Sequence, residues 1–264
     1  MNFKGKTFWI TGAASGMGKS VSIALSKHQT TLILSDRDAD GLLETARAVE
    51  QNGSKARIEP LDMSNTPAIF DTVQKVLGDG LKIDGLYQFA GISQRSLVTE
   101  TPLDNDRKIM EINFFGVVAL TKAVLPHMIE NGGGQLAAAS SLVGKFGFPY
   151  RSAYSASKHA LHGFFETILA ENYKHNIRVS MLIGGRIQTN ISKFAINKDG
   201  SEHGKMDAGQ ANGISPERAA SQILKGLRKE KREIPVGAGE LIILKIKRFF
   251  PGWHAKIVRK LNPM

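Results

Sequence analysis

Cysteine is absent from this chain, which excludes disulfides, thiol nucleophiles and thiolate metal sites. That absence fits a reducing, cytoplasmic setting. No apolar run exceeds the short stretches of buried strands, so no membrane-spanning segment is expected. No Pro/Gly/Ser-rich linker divides the 264 residues, so the chain reads as one domain. The opening "MNFKGKTFWITG" passes from a few polar residues into a strand-like run, without an apolar leader or a cleavage site. Carboxylates do not cluster in sequence around His159 and His162, the two histidines one helical turn apart. A structural role is therefore preferred for them, and no metal is expected.

Positive charge is plentiful but uneven. The formal net charge is +11, and the stretch from Lys225 onward holds eleven Lys/Arg against three Glu. The basic character belongs to the C-terminal segment and says little about the rest.

The dominant pattern is strand–helix alternation. Short apolar or β-branched runs, "KTFWIT", "TTLILSD", "KARIEP", "DGLYQFAG", "GQLAAASS", "IRVSMLIG" and "EIPVG", are bounded by Gly, Asp or Ser. Between them lie helical stretches such as "MGKSVSIALSKH", "DADGLLETARAVEQN" and "DNDRKIMEINFFGVVALTKAVLPHMIENG". This predicts an α/β single-domain, doubly wound (Rossmann) parallel sheet of six or seven strands, with helices on both faces. The body is expected over residues 1–240, and a basic amphipathic extension over 241–264. A polar, Gly-containing stretch near 190–213 is too long for a routine connection and is read as a substrate lid.

The first strand runs into "TGAASGMG", whose Gly12, Gly16 and Gly18 permit a tight turn and close backbone approach to a pyrophosphate at the helix N-terminus. The second strand ends at Asp36, eighteen residues after Gly18. A carboxylate there binds both hydroxyls of an adenosine ribose and repels a 2′-phosphate. Two competing considerations stand beside this: Asp36 as a cap of the helix starting near Asp38, and Arg37 as a receiver of a 2′-phosphate. NAD(H) is read as preferred, with NADP(H) left open through Arg37.

In "SAYSASKHALHGF" the spacing of Tyr154 and Lys158 stacks phenol and ammonium on one helix face. As a surface pair they would count for a few tenths of a kcal/mol; as a phenol made acidic by a cation they would be chemistry.

"TGxxxGxG" combined with "YxxxK" resembles the short-chain dehydrogenase/reductase family, over roughly residues 5–240. The family's active-site serine, thirteen residues before its tyrosine, falls on Ser141, and its helix-borne asparagine on Asn113. The run "SSLVGKFGFPYRSAYSASKHAL" is similar to the branch containing 11β-hydroxysteroid dehydrogenases and related orphan reductases. The resemblance implies a catalytic tetrad of Asn113, Ser141, Tyr154 and Lys158. It implies a cofactor site of Gly12, Ser15, Gly16, Met17, Gly18, Asp36, Arg37, Asp62, Met63, Phe89, Ala90, Gly91, Ile187 and Thr189, together with Tyr154 and Lys158.

A free tyrosine has a pKa near ~10. Lys158 and a positive nicotinamide ring both favour the phenolate, so Tyr154 is expected to titrate closer to working pH and to exchange a proton with an alcohol or alkoxide. Ser141 would bond the substrate oxygen, and Lys158 would also hold the nicotinamide ribose. Asn113, by resemblance, would interrupt its helix and hold a water linked to Lys158. The expected activity is NAD(P)(H)-dependent interconversion of a secondary alcohol and its ketone, by a homodimer or homotetramer.

Two departures from the family pattern support an alternative, a catalytically feeble NAD-binding regulator or scaffold. The family's Asn-Asn-Ala-Gly is here Gln88-Phe89-Ala90-Gly91, expected to lose an amide that ties strands together. Its Pro-Gly is here Gly184-Gly185, expected to loosen the turn beside the nicotinamide.

Phe194, Ile196 and Met206 in the lid, with Phe146, Phe148 and Tyr150 before the tyrosine, predict an apolar pocket for a lipophilic small molecule. In the tail, Trp253, Ile257 and Leu261 recur a turn apart beside Lys256 and Lys260, and Pro251 divides two short amphipathic helices. Peripheral attachment to an anionic membrane surface competes with core cover or a subunit interface. Nucleic acid is not expected, because the aromatics sit among aliphatics on an apolar face.

Overall fold

The computed structural model describes residues 1–261. The chain runs β1 (Thr7–Thr11), α1 (Gly16–Ser26), β2 (Thr31–Ser35), α2 (Ala39–Gln51), β3 (Lys55–Ile58), α3 (Thr66–Gly78) and β4 (Gly85–Gln88). It continues through a two-residue β5 (Gln94–Arg95), α4 (Leu103–Met110), α5 (Gly116–Glu130), β6 (Gly134–Ser141), α6 (Ser152–Asn172) and β7 (Ile177–Gly184). A two-residue β8 (Ile196–Asn197), α7 (Ala208–Ala211), α8 (Pro216–Arg228), β9 (Glu233–Val236), α9 (Ile242–Phe249) and α10 (Pro251–Lys260) complete it.

Seven strands form one parallel sheet in the order β3-β2-β1-β4-β6-β7-β9. The seven apolar runs read from the sequence are these strands. The central ones are apolar throughout because helices cover both faces. Val21, Leu25, Leu42, Ile223 and Leu227 from α1, α2 and α8 close one side. Ile69, Val73, Leu120, Val124, Leu161 and Phe165 from α3, α5 and α6 close the other.

Helix starts follow local chemistry. Asp38 caps α2 by accepting from the Gly41 N–H, Asn65 caps α3, and Ser215 caps α8 with Pro216 behind it. Asp36 is therefore not the cap of α2, which removes one of the two competing considerations at that position.

Strand order reverses at β1 and β4, and ligands of such sheets bind beyond the carboxyl ends of the strands at that point. The Gly-rich turn after β1, Asp36 after β2 and Gly91 after β4 all lie there. α4 and α5 form a continuous 28-residue rod joined by a π-helical turn at Glu111–Phe115. By length and composition the rod is apolar enough to span a bilayer, which corrects the expectation of no such run. Its buried residues pack against α3 and α6, so it serves as a core helix.

Candidate active site

Two cavities open near the carboxyl ends of the strands. The first, of about 320 Å³, lies over the β1–α1 turn. Its glycines are demanded by packing. A Cβ at Gly12 would lie 2.6 Å from the Ala90 nitrogen, and one at Gly18 would lie 2.0 Å from the Gly12 oxygen. Gly12 and Gly16 also have φ of +69° and +52°. Gly16 faces Thr189 across the turn, at 3.2 Å from a would-be Cβ to Cγ2. Ser15, Met17, Asp62, Met63, Phe89, Ala90 and Gly91 line the same cavity, so the expected cofactor residues converge. Ile187 does not join them: it is 3% exposed in the core and bridges Ile214.

Asp36 is part-buried at the rim. Its Oδ2 accepts from the Ala14 N–H at 3.2 Å and its Oδ1 from the Asp38 N–H at 3.2 Å. Each oxygen keeps a lone pair for a hydroxyl. Arg37 beside it is exposed and, among the described residues, makes no ion pair. The residues present thus fit a dinucleotide: a glycine turn that cannot carry side chains, a helix N-terminus, and a held carboxylate.

The tetrad assembles on buried backbone. Tyr154 and Lys158 are on α6, Ser141 ends β6, and Asn113 lies in the π turn, which is the local helix interruption the resemblance implied. Asn113 is fully buried. Its Oδ1 accepts from the Ile92 N–H at 2.8 Å, while its Nδ2 donates to the Ile92 carbonyl at 2.9 Å and to Ser157 Oγ at 3.1 Å. The amide is spent on fixing the strand β4 exit against α6, so both its protons are unavailable to a water. Lys158 Nζ donates to the Ala139 carbonyl at 2.8 Å and is 5.8 Å from the Tyr154 ring centre. A Cβ on Gly91 would lie 2.9 Å from Asn113 Oδ1 and 3.3 Å from that Nζ, so a side chain there would crowd both groups.

The electrostatics differ from the expectation for Tyr154. Burial raises its pKa, and the groups opposing that rise are Arg151, the Ser141 hydroxyl and Arg95. Lys158 is not among them; burial lowers its own pKa to about 8. Burial outweighs the two guanidiniums, neither of which the sequence spacing singled out, and the phenol stays above its ordinary pKa.

The second cavity, of about 370 Å³, begins at Ser141. Its apolar wall is Leu142, Val143, Phe146 and Phe148, with Ile243 and Leu261 from the tail. Arg151, Arg186, Asp207 and Glu240 supply charge around it. Phe194, predicted to face the substrate, lines the first cavity instead, and Ile196 is buried against Ile109 and Ala153. Tail residues 262–264 lie outside the described residues.

Both departures from the family pattern are compensated. Gln88 Nε2 reaches Thr121 Oγ1 on α5 at 2.8 Å, so an amide still ties β4 to its neighbour, although Gln88 Oε1 is buried without a partner. At the Gly184-Gly185 turn, Glu240 fills the space: a Cβ on Gly185 would lie 2.3 Å from its Oε1, which accepts the Arg186 N–H at 2.8 Å. The turn is braced by the tail, where greater looseness was expected.

The fold also gathers groups no local pattern announces. Gln94 Oε1 accepts from the Ala153 and Tyr154 N–H groups at 2.9 and 3.4 Å and so caps α6, where Arg151 makes no cap bond. Arg95 grips Asp207 through Nη2 and Nε, and Arg151 reaches the same carboxylate at 3.2 Å. His162 does acquire acidic neighbours in space, Glu166 and Glu233. Glu233 is already paired with Lys145, and His162 Nε2 is bonded to Ser140 Oγ at 2.9 Å. Burial lowers the pKa of His162 to about 4, which leaves the ring neutral behind Ser140.

A profile of the short chain dehydrogenases matches residues 6–199. The dehydrogenase/reductase SDR family member 7B of Danio rerio is 34% identical over 267 residues, which cover 97% of this chain and 85% of that protein. Its Bos taurus counterpart is 39% identical over 85% of this chain and 71% of its own. Among solved structures, an alcohol dehydrogenase from Thermococcus sibiricus, complexed with 5-hydroxy-NADP, superposes with a TM-score of 0.76 at 25% identity, covering 89% of this chain and 97% of that one. A short-chain dehydrogenase/reductase from Burkholderia phymatum in complex with NAD has a TM-score of 0.81 at 19% identity, covering 100% and 98%. At that identity the second likeness speaks for the fold alone.

Proposed function

The chain belongs to the short-chain dehydrogenase/reductase family, and on that premise we propose that it interconverts a lipophilic secondary alcohol and its ketone, with Tyr154 as proton donor and acceptor. It is an NAD(P)-dependent oxidoreductase. The observation that carries the finer reading is the convergence on the buried Tyr154 of Lys158, whose Nζ is 5.8 Å from the ring centre, and of Ser141, whose hydroxyl opposes the rise in the phenol's pKa and which opens an apolar cavity.

When bound, the nicotinamide accepts or supplies the hydride. Ser141 holds the substrate oxygen against the phenol. In oxidation the Tyr154 oxygen takes the hydroxyl proton; in reduction it protonates the developing alkoxide. Lys158, anchored by Ala139, presents an ammonium at the ribose side of the first cavity. Asp36 favours NAD(H) over a cofactor bearing a 2′-phosphate, and Arg37 is the group working against that preference.

Four apolar side chains after β6 and two from the tail support a lipophilic substrate. The other face of the tail leaves Phe249, Phe250 and Trp253 exposed, at 67%, 58% and 68%, among Lys247, Arg248 and Lys256. That composition supports reversible contact with an anionic bilayer on the cytoplasmic side, and self-association into a dimer or tetramer stays part of the reading.

The alternative of a feeble regulator drew on the two departures, and each is compensated by Thr121 or Glu240. Steady-state turnover of a panel of aliphatic and polycyclic ketones and alcohols with NAD(H) tests the choice. Turnover of at least one lipophilic member is expected; tight cofactor binding with no turnover on any member would favour the regulator.

A further inference from the structure

Four groups around Tyr154 come from three separate parts of the chain. Gln94 and Arg95 form β5, Arg151 precedes α6, and Asp207 lies in the lid just before α7. β5 pairs with β8 of the lid, through Gln94 with Ile196 and Arg95 with Asn197. One dipeptide therefore caps the catalytic helix with its first residue and holds the lid with its second. The Asp207 and Arg95 side chains are 3% and 2% exposed, so this is an ion pair taken out of water.

Buried charges that lack balance are costly. Here two guanidiniums share a single carboxylate, and among the described residues Asp207 has one further neighbour of positive character, His203, whose Nε2 is 3.7 Å from Oδ1. The unit has an excess of positive charge with Arg151 Nε buried and unpartnered. A phenolate on Tyr154 would be the second anion. The groups acting on that phenol are Arg151 just before its helix, Ser141 from β6 and Arg95 from β5, with Lys158 one turn along the helix; Asp207, with His203 beside it, reaches the phenol through the two guanidiniums it binds.

We propose that Arg95, Arg151 and Asp207 are positioning residues that set the pH at which Tyr154 exchanges its proton, with the lid carboxylate as counterweight to the two guanidiniums. This rests on the reading of Tyr154 as acid and base. Arg95 and Arg151 favour the phenolate, and Asp207 cancels part of their field. Because Asp207 belongs to the lid, lid position and phenol acidity are linked through the same ion pair.

The test compares the pH midpoint of NAD⁺-dependent oxidation of the fastest secondary alcohol of the panel. It also reads Tyr154 ionisation directly, as the phenolate absorbance of each protein minus the same protein carrying Tyr154→Phe. Asp207→Asn should move the midpoint to lower pH, and Arg151→Gln to higher pH, each by at least ~0.5 unit, since charges in contact shift neighbours by ~1–3 units. Arg151→Lys should keep the parent midpoint. A structural role alone would lower turnover at every pH and leave the midpoints together. Coincident midpoints, or shifts of the same sign, overturn the proposal. If Asp207→Asn does not fold, the Gln and Lys variants of Arg151 decide the matter. Full turnover by Tyr154→Phe would instead remove the underlying reading, a separate outcome from unmoved midpoints.

Discussion

The cavity over the β1–α1 turn and the cavity beyond Ser141 are built on different plans. The first is made of backbone: an added Cβ would lie 2.6 Å from the Ala90 nitrogen at Gly12 and 2.0 Å from the Gly12 oxygen at Gly18, and Gly16 has a φ of +52°. The residue proposed to set its specificity, Asp36, is held by two main-chain donors. The second is made of five distant segments: the turn after β6, the residue before α6, the turn after β7, the stretch around α7 and the tail. A site for a common ligand can be written in a short local motif, whereas a site for a particular substrate is assembled from pieces that meet only after folding.

The sharpest way to break the first plan is Gly18→Ala, whose methyl would sit 2.0 Å from the Gly12 oxygen. Overpacking of this kind costs ~1–3 kcal/mol, and its upper part corresponds to a loss of ~100-fold in NAD affinity. Calorimetric titration showing unchanged affinity would mean that the turn yields.

On the second plan, a chain ending at Gly239 loses Glu240, Ile243 and Leu261. Burial of one large aliphatic side chain contributes ~1.5–3 kcal/mol, so KM for a lipophilic ketone should rise at least ~10-fold. A KM that does not move would assign the tail to another role. The same shortened chain should remain in the supernatant with anionic vesicles that sediment the full one, and ~1 M salt should release the full chain by screening. A full chain that never sediments with them would end the membrane reading.

A smaller effect distinguishes the two rims of the first cavity. Asp36→Ala should erase a preference for NAD(H) over NADP(H) of about tenfold, or ~1.4 kcal/mol. If the parent protein binds NADPH as tightly as NADH in a fluorescence titration, Arg37 outweighs Asp36.

What the sequence disclosed follows the same division. The seven strands, the glycine turn, Asp36 and the Tyr154/Lys158 spacing were legible because each depends on residues within one or two turns of chain. The bridge of Ile187 to Ile214, which holds its side chain in the core, had no signal in the motif around it. Arg95 and Asp207 are 112 residues apart, and no periodicity or motif links them. Glu240 offered no signal either, since its role exists only where the tail folds back over Gly185. Reasoning from the four-residue spacing correctly placed Lys158 beside the phenol, yet it overlooked that burial of both groups opposes their charged forms.

Tyr154→Phe, which keeps the ring and removes the hydroxyl, tests the central claim most directly. With NAD⁺ affinity and melting temperature held near those of the parent, turnover of the best alcohol should fall by at least ~10²-fold, the lower end of general acid–base contributions. Turnover within a few-fold of the parent, at unchanged cofactor affinity, would contradict the assignment of Tyr154 as the proton-transferring group.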